Sequence, residues 1–201
     1  MHGILKVLLF NNLFLFPPTG WADSLGPSLV RPGAGSGDRE VRMFKVGELA
    51  VYPAHGVGKI EAIETKSIGG HSQDFYIMRI LENDMKIMIP VQNAHVVGLR
   101  RLIDVEEVHR VYEILRRREI SVNTSTWNRR YREYMEKIKT GSIYELAEVL
   151  RDLTVLQNDK ELSFGERKML ETARALLVTE VAMAKGAQES QIACEIDEIL
   201  Q

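Results

Sequence analysis

The apolar residues of the chain follow two different periods, and the first is that of β-strands. Between residues 44 and 100 they form short runs separated by Gly, Pro, Asn and Asp. The run at 75–81 is the most apolar, and Gly69-Gly70 before it is a strong hairpin signal. The pattern predicts five short strands, near residues 48–52, 57–65, 75–81, 85–90 and 94–99. Short strands with tight turns are typical of a small antiparallel barrel of the SH3 or Tudor type, which usually serves as an interaction module.

From Asp104 onward the spacing of apolar residues becomes helical. Ser142 and Ser163 are each followed three residues later by a glutamate, which is the spacing of a capping box, and Gly186 is a typical helix stop. The pattern predicts five helices, near residues 105–118, 126–139, 143–156, 164–185 and 189–200. We therefore expect an α+β chain of two domains. A small antiparallel β-barrel over residues 43–101 is followed by a compact five-helix all-α domain over residues 102–201.

Residues 1–42 differ in composition from both domains. An apolar run at 4–16 is interrupted by polar residues and followed by a stretch rich in Gly, Pro and Ser. The run is too short to span a bilayer as a helix. We expect residues 1–42 to be a disordered leader, with Met43 as the natural start of the protein. The alternative is an exported protein whose signal peptide has only Lys6 to supply positive charge.

The composition argues against several classes of site. The formal net charge is -2 over 201 residues, so any binding of nucleic acid must depend on a local patch. Cys194 is the single cysteine, which excludes an intrachain disulfide and a zinc knuckle. The five histidines are scattered and lack the i, i+4 spacing of a helical metal site. We therefore expect no enzymatic activity, no metal and no cofactor.

A local basic patch surrounds the predicted start of the second helix. Between Arg100 and Lys139 there are 11 basic residues against 7 acidic ones. Trp127 begins that helix, and the cations Arg129, Arg130 and Arg132 follow within five residues. An apolar plate among cations suits a protein that grips a phosphate backbone and presses against a base step. The alternative is a Trp that packs in the core among solvated arginines.

Two further groups of residues favour interfaces. Arg167 and Lys168 lie on the first turn of the fourth predicted helix, where cations oppose the helix dipole, so an anionic partner explains them better than folding does, and the alternative is a solvated helix end. In the strand at 85–90, alternation places Lys86, Met88 and Pro90 on one face, and the opposite face fills the barrel. An adaptable apolar side chain beside a cation suits a protein interface, and the alternative is that Met88 simply covers a hairpin.

Several of these segments together resemble a known family. They are residues 46–56, 61–65, 127–131, 149–153 and 162–170. In this order they resemble the CarD/CdnL family of bacterial transcription regulators, over about residues 43–200. The resemblance implies that the barrel is a Tudor-like domain that binds the lobe of the RNA polymerase β subunit. It also implies that the helices contact promoter DNA at the upstream edge of the transcription bubble and stabilise the open complex.

The resemblance also implies roles for individual residues. Trp127 would be a wedge in the minor groove. Contacts to the DNA backbone would come from Arg129, Arg130, Arg132, Arg167 and Lys168. Contacts to the polymerase would come from Lys66, Lys86, Met88 and Pro90. Some family members have arginine at the position of Met88, so this contact is either apolar or replaced by an ionic one elsewhere in the family.

We therefore expect a transcription initiation regulator that binds DNA largely without sequence preference. It would act as a monomer in the cytoplasm, associated with the nucleoid and not with a membrane. The alternative function is a protein-only adaptor whose two domains both bind proteins.

Overall fold

The computed structural model describes residues 43–68, 71–117 and 127–201. The predictions for the leader at 1–42, for the Gly69-Gly70 turn and for the cap hydroxyls at 124–126 lie outside these residues. The described part of the chain begins with four strands: β1 (Leu49–Tyr52), β2 (Gly56–Ile68), β3 (His71–Ile80) and β4 (Lys86–Pro90). They form one antiparallel sheet in chain order, and the sheet curls into a half-barrel. The predicted Tudor-like architecture is therefore consistent with the observed sheet.

The strand pairing places buried apolar side chains on the inner face of the sheet. The pairing of β2 with β3 runs from Gly58 with Ile80 to Ile68 with His71. The inner face packs around Tyr76, whose hydroxyl accepts a hydrogen bond of 3.2 Å from the Phe44 amide. Ile60 and Met78 pair across β2 and β3 and are fully buried. Burial of such side chains stabilises the fold by about 1.5–3 kcal/mol each, so this core holds the sheet together.

The prediction of a fifth strand at 94–99 is wrong. This segment forms turns after a 3-10 helix (Val91–Asn93), and only the isolated bridge between Val51 and Arg100 follows it. The Leu99 amide donates to the Ala94 carbonyl and the Val97 amide to the Asn93 carbonyl. The backbone groups that a ladder would use are therefore satisfied locally. Gly98 has a φ of 77°, which a regular strand does not allow.

Within the described residues, five helices follow the sheet, as predicted. They are α1 (Val105–Arg116), α2 (Trp127–Thr140), α3 (Ile143–Asp159), α4 (Phe164–Lys185) and α5 (Glu189–Leu200). Val111, Leu150 and Leu177 are central to their common core, each no more than 1% exposed. Gly186 ends α4 in the left-handed conformation, as its position after the last apolar residue predicts.

The two predicted capping boxes have different outcomes. At α4 the box is complete, because Ser163 accepts from the Glu166 amide and Glu166 accepts from the Ser163 amide. At α3 only half is formed. Ser142 accepts from the Glu145 amide, but the Glu145 carboxylate accepts from the Thr140 hydroxyl instead. Thr140 ends α2, so this contact links α2 to the start of α3.

Glu166 also joins α4 to α2. The residue is 2% exposed, and its carboxylate accepts a hydrogen bond of 3.0 Å from Nη2 of Arg130. Nζ of Lys160 lies 3.4 Å from the same oxygen. Burial alone would raise the pKa of Glu166, but hydrogen bonds from Ser163 and Arg130 and the charge of Lys160 outweigh it and lower the pKa to about 2. The ionised carboxylate therefore fixes the start of α2 against the start of α4.

Replacing Glu166 with glutamine removes this charge and keeps the shape of the side chain. We expect Glu166→Gln to lower the free energy of unfolding at neutral pH by about 3 kcal/mol, because Arg130 loses a buried ionic partner. The folded-state pKa of Glu166 lies below its ordinary value of about 4.3, so the advantage of the wild type is complete above about pH 5 and shrinks as the pH falls towards about 2. Urea unfolding of both proteins across this pH range measures it.

The matched control is Glu161→Gln, since Glu161 is an exposed carboxylate just before α4. We expect this variant to unfold like the wild type at every pH. An advantage of the wild type over Glu166→Gln that does not change with pH would show that ionised Glu166 is not its source.

Candidate nucleic-acid and protein interfaces

The first turns of α2 and α4 carry most of the predicted DNA-binding residues and one exposed aromatic residue, and we refer to these positions together as the α2–α4 surface. Its members are Arg129, Arg132, Phe164, Arg167 and Lys168, and the side chain of Trp127, the predicted wedge, lies outside what the structure describes. Trp127 is the first residue of α2 and Phe164 the first residue of α4. The two helix starts are joined by an ion pair, in which Arg130, one turn into α2, pairs with Glu166 in the first turn of α4. The ion pair thus brings together residues that are far apart in the sequence.

Four of the predicted DNA-binding cations are exposed on this surface. They are Arg129, Arg132, Arg167 and Lys168. The Arg129 Nε donates a 2.9 Å hydrogen bond to Glu133, one helical turn away, and both side chains are exposed. An Arg167 nitrogen lies 3.9 Å from a carboxylate oxygen of Glu161. Exposed pairs of this kind are worth about 0–1 kcal/mol, so these cations remain available to a phosphate.

Arg130 differs from the other predicted DNA-binding arginines. Only 8% of it is exposed, and its guanidinium faces Glu166 instead of solvent. This burial argues against the predicted contact with the DNA backbone, because the guanidinium already serves a buried carboxylate. Part of the excess of basic residues in the sequence therefore pairs with a carboxylate inside the fold. Arg130 acts on the surface indirectly, by fixing the position of α2.

Phe164 is a member of this surface that sequence reasoning missed. It is 80% exposed, the highest value among the exposed large apolar residues described here. The sequence signal was available, because the capping box at Ser163 makes Phe164 the first residue of a helix, where no core face has yet formed. A large exposed aromatic beside cations is typical of a surface that packs against a partner.

The sheet carries a second candidate surface on its outer face, which we call the β4 surface. Ile87 and Ile89 are buried on the inner face, and Lys86, Met88 and Pro90 alternate with them, as the strand pattern predicts. The structure brings Lys66 to Met88, with 3.6 Å between Nζ and Sδ. Lys86 lies at the other end of β4, where its Nζ is 2.9 Å from a carboxylate oxygen of Glu61.

Two residues of the β4 surface were missed. Met88 pairs with Ile77 on β3, and Ile77 pairs with Ala62 on β2. All three are partly exposed, so they form an apolar row across the outer face. A register shift between Ile60 and Ala62 sets this alignment. Sequence alone does not show such a bulge, and the row could therefore be found only from the pairing.

The described residues offer little for other kinds of site. Among them, no cluster of three or more His, Cys, Asp or Glu is arranged to hold a metal ion. His55 stacks on Tyr52 with 5.3 Å between ring centroids, and burial lowers its pKa, so it packs as a neutral ring. In the same part of the chain, no helix has the length and apolar character needed to cross a membrane.

Comparison with known proteins identifies both parts of the chain. The CarD-like/TRCF RID domain matches residues 44–103, and the CarD C-terminal domain matches residues 110–197. The Bacillus subtilis (strain 168) protein named "Putative transcription factor YdeB" is 38% identical over 150 residues, which are 75% of this chain and 97% of that protein. The structure of CdnLNt from Myxococcus xanthus is 47% identical and covers 35% of this chain and 94% of its own, with a TM-score of 0.27.

The order of the two matches is that of the sheet and the helices, and together they span most of the chain. The chain belongs to the CarD/CdnL family of transcription regulators, which act through RNA polymerase.

Proposed function

We propose that the protein binds the lobe of the RNA polymerase β subunit through the β4 surface. Its α2–α4 surface then stabilises the promoter open complex at the upstream edge of the bubble. The observation that carries this proposal is that the starts of α2 and α4, which the Arg130–Glu166 ion pair joins, carry four exposed cations and an exposed aromatic residue. The protein would work as a monomer in the cytoplasm, on the nucleoid, and would bind DNA largely without sequence preference.

The positions of the cations support a DNA contact. Arg167 and Lys168 are the fourth and fifth residues of α4, close to the positive end of the helix dipole. They gain nothing from the dipole, and a phosphate placed there would meet both the cations and the dipole. Arg129 and Arg132 face solvent on the neighbouring helix. Phosphate contacts of this kind position a protein on DNA without reading its sequence.

The energetics of wedge insertion favour a site at the bubble edge. Pressing a side chain between stacked base pairs costs a few kcal/mol per step. At the junction of duplex and bubble this cost is reduced, because one neighbour has already been unstacked. Trp127 would therefore select an opened junction over intact duplex. The polymerase contact brings the helices to a promoter, and the junction keeps them there.

The geometry of the sheet supports the polymerase contact. β4 pairs only with β3 among the described strands, so it is an edge of the sheet. The apolar row of Ala62, Ile77 and Met88 ends at this edge. Lys66 and Lys86 flank the row. An edge strand beside an adaptable apolar row suits a partner that adds a strand and inserts its own side chains.

The wedge is tested by Trp127→Ala. We expect the lifetime of the open complex to fall about tenfold, since an aromatic stacked on a base is worth about 1–3 kcal/mol. Trp127→Phe retains an aromatic plate and should lose less. Binding of the β lobe should not change, which is the internal control. An equal loss of β-lobe binding would show that Trp127 is needed for the fold and not for the junction.

The phosphate contacts are tested by Arg132→Ala. We expect weaker binding to forked DNA, with the slope of log K against log salt concentration reduced by about 0.9. Arg174→Ala is the control, since Arg174 lies further along α4 and pairs with Asp197 of α5. A slope identical to that of the wild type would remove Arg132 from the DNA contact. Forked DNA that is not bound by the wild type at any salt concentration would favour the protein-only adaptor.

The β4 surface is tested by Met88→Ala and Lys66→Glu. We expect each to weaken binding of the polymerase β lobe about tenfold, as loss of a central interface residue does. Binding to forked DNA should stay at the wild-type level. Lys45→Glu, an exposed lysine before β1, is the charge-matched control for Lys66→Glu. If all three variants bind the lobe like the wild type, the polymerase is bound elsewhere.

A further inference from the structure

A salt bridge crosses from the sheet to the helices at Arg100. The backbone of Arg100 belongs to the sheet, because it exchanges two hydrogen bonds with Val51, of 2.8 and 3.1 Å. Its guanidinium reaches Glu180 of α4, with Nη2 2.8 Å from Oε2 and Nη1 bonded to Oε1. Its Nε donates a 2.6 Å hydrogen bond to the carbonyl of Gly141, between α2 and α3. One side chain thus holds three parts of the molecule together.

This contact is built to resist rotation. Glu180 is 2% exposed, so its charge depends on Arg100 for compensation. A bidentate pair of hydrogen bonds between a planar guanidinium and a carboxylate fixes the relative orientation of the two groups as well as the distance between them. Any swing of the sheet relative to α4 would separate a buried carboxylate from its counter-ion. Such a separation is strongly unfavourable, because a buried charge without a partner is costly.

A second contact at the same joint is steric. The ring of Pro53, after β1, fills a notch between two glycines. An ideal Cβ on Gly98 would lie 2.9 Å from Pro53 Cγ, and one on Gly141 would lie 2.8 Å from it. Both glycines also have φ near +75°, which favours glycine in any case. The cavity left at this joint is about 20 Å³, so the two domains are in close contact.

The contact between sheet and helices and the α2–α4 surface share one helix, because α4 contributes to both. Glu180 near one end of α4 holds the sheet through Arg100, and Glu166 near its start holds α2 through Arg130. The two carboxylates are 14 residues apart by their numbers, which is about 21 Å along a helix that rises 1.5 Å per residue. A single rigid helix therefore connects the sheet to the start of α2.

We infer that Arg100 is a positioning residue. By clamping the sheet to α4, it fixes the distance and angle between the β4 surface and the α2–α4 surface. This inference rests on the proposed function, in which both surfaces are occupied in one complex. A rigid connection of matching geometry raises the effective concentration of the second contact, and a loose one lowers it. Arg100 therefore contributes to the open complex without touching the polymerase or the DNA.

The test replaces the ion pair of Arg100 and Glu180, which we call the clamp, with apolar side chains of similar size. The double variant is Arg100→Met together with Glu180→Leu. This double variant leaves no buried charge without a partner, so the fold is retained. The matched control is Arg174→Ala, which removes an exposed arginine–carboxylate pair between α4 and Asp197 of α5 that does not cross to the sheet. All measurements use the full chain.

Three quantities are measured for each protein. They are the affinity for the isolated β lobe, the affinity for forked DNA and the lifetime of the open complex. For the double variant we expect both affinities to stay within about twofold of the wild type and the lifetime to fall about fivefold, because only the joint occupancy of two sites is weakened. The control should match the wild type in all three. The inference is overturned if the double variant has the wild-type lifetime while both affinities are retained. It is also overturned if either affinity falls by the same factor as the lifetime.

A fourth measurement does not depend on the proposed function. Spin labels on Cys194, the exposed native cysteine of α5, and on Lys59→Cys in β2 report the distance between the domains. We expect a narrow distribution in the otherwise unaltered chain and a broader one when the clamp is replaced. An unchanged distribution overturns the inference. If the wild type does not prolong the open complex, the proposed function fails, and the label distances still show whether Arg100 holds the domains.

Discussion

Two buried carboxylates on one helix govern the arrangement of the whole molecule. Glu166 and Glu180 are each 2% exposed on α4, and a charge so placed is stable only beside a counter-ion held in good geometry. Arg130 comes to Glu166 from α2, and Arg100 comes to Glu180 from the end of the sheet. Apolar packing makes each domain compact, but it has little directional preference. The two ion pairs supply direction, and they determine where the outer surfaces point.

The basic residues of the chain therefore divide into two groups with different physical roles. Arg100 and Arg130 neutralise buried carboxylates and belong to the framework. Arg132 and Lys168 face solvent, where their charge is available to a ligand. The local excess of positive charge in the sequence does not distinguish these groups. Arg129, Arg130 and Arg132 lie within four residues of one another, and only the position of Glu166 separates the second from its neighbours.

The sequence predicted those features of the fold that depend on local periodicity. Four strands, five helices and the stop at Gly186 follow from apolar spacing and cap residues, since these signals act over a few residues. The fifth strand failed because local hydrogen bonds after Val91–Asn93 and the positive φ of Gly98 competed with pairing. The capping box at Ser142 failed by half because Thr140, outside the motif, took the glutamate.

The candidate surfaces were less predictable than the fold. The alternation in β4 was enough to place Met88 outside, but its neighbours Ala62 and Ile77 depend on a bulge that shifts the register. Burial of Arg130 depends on a partner 36 residues away, and the motif around Trp127 does not contain that information.

Arg100 and Glu180 are 80 residues apart in the sequence. During synthesis the sheet is complete long before Glu180 exists, by about 4–16 s at the usual rate of about 5–20 residues per second. The nascent protein therefore passes through a stage in which its first domain is formed but its orientation relative to the helices is not yet fixed.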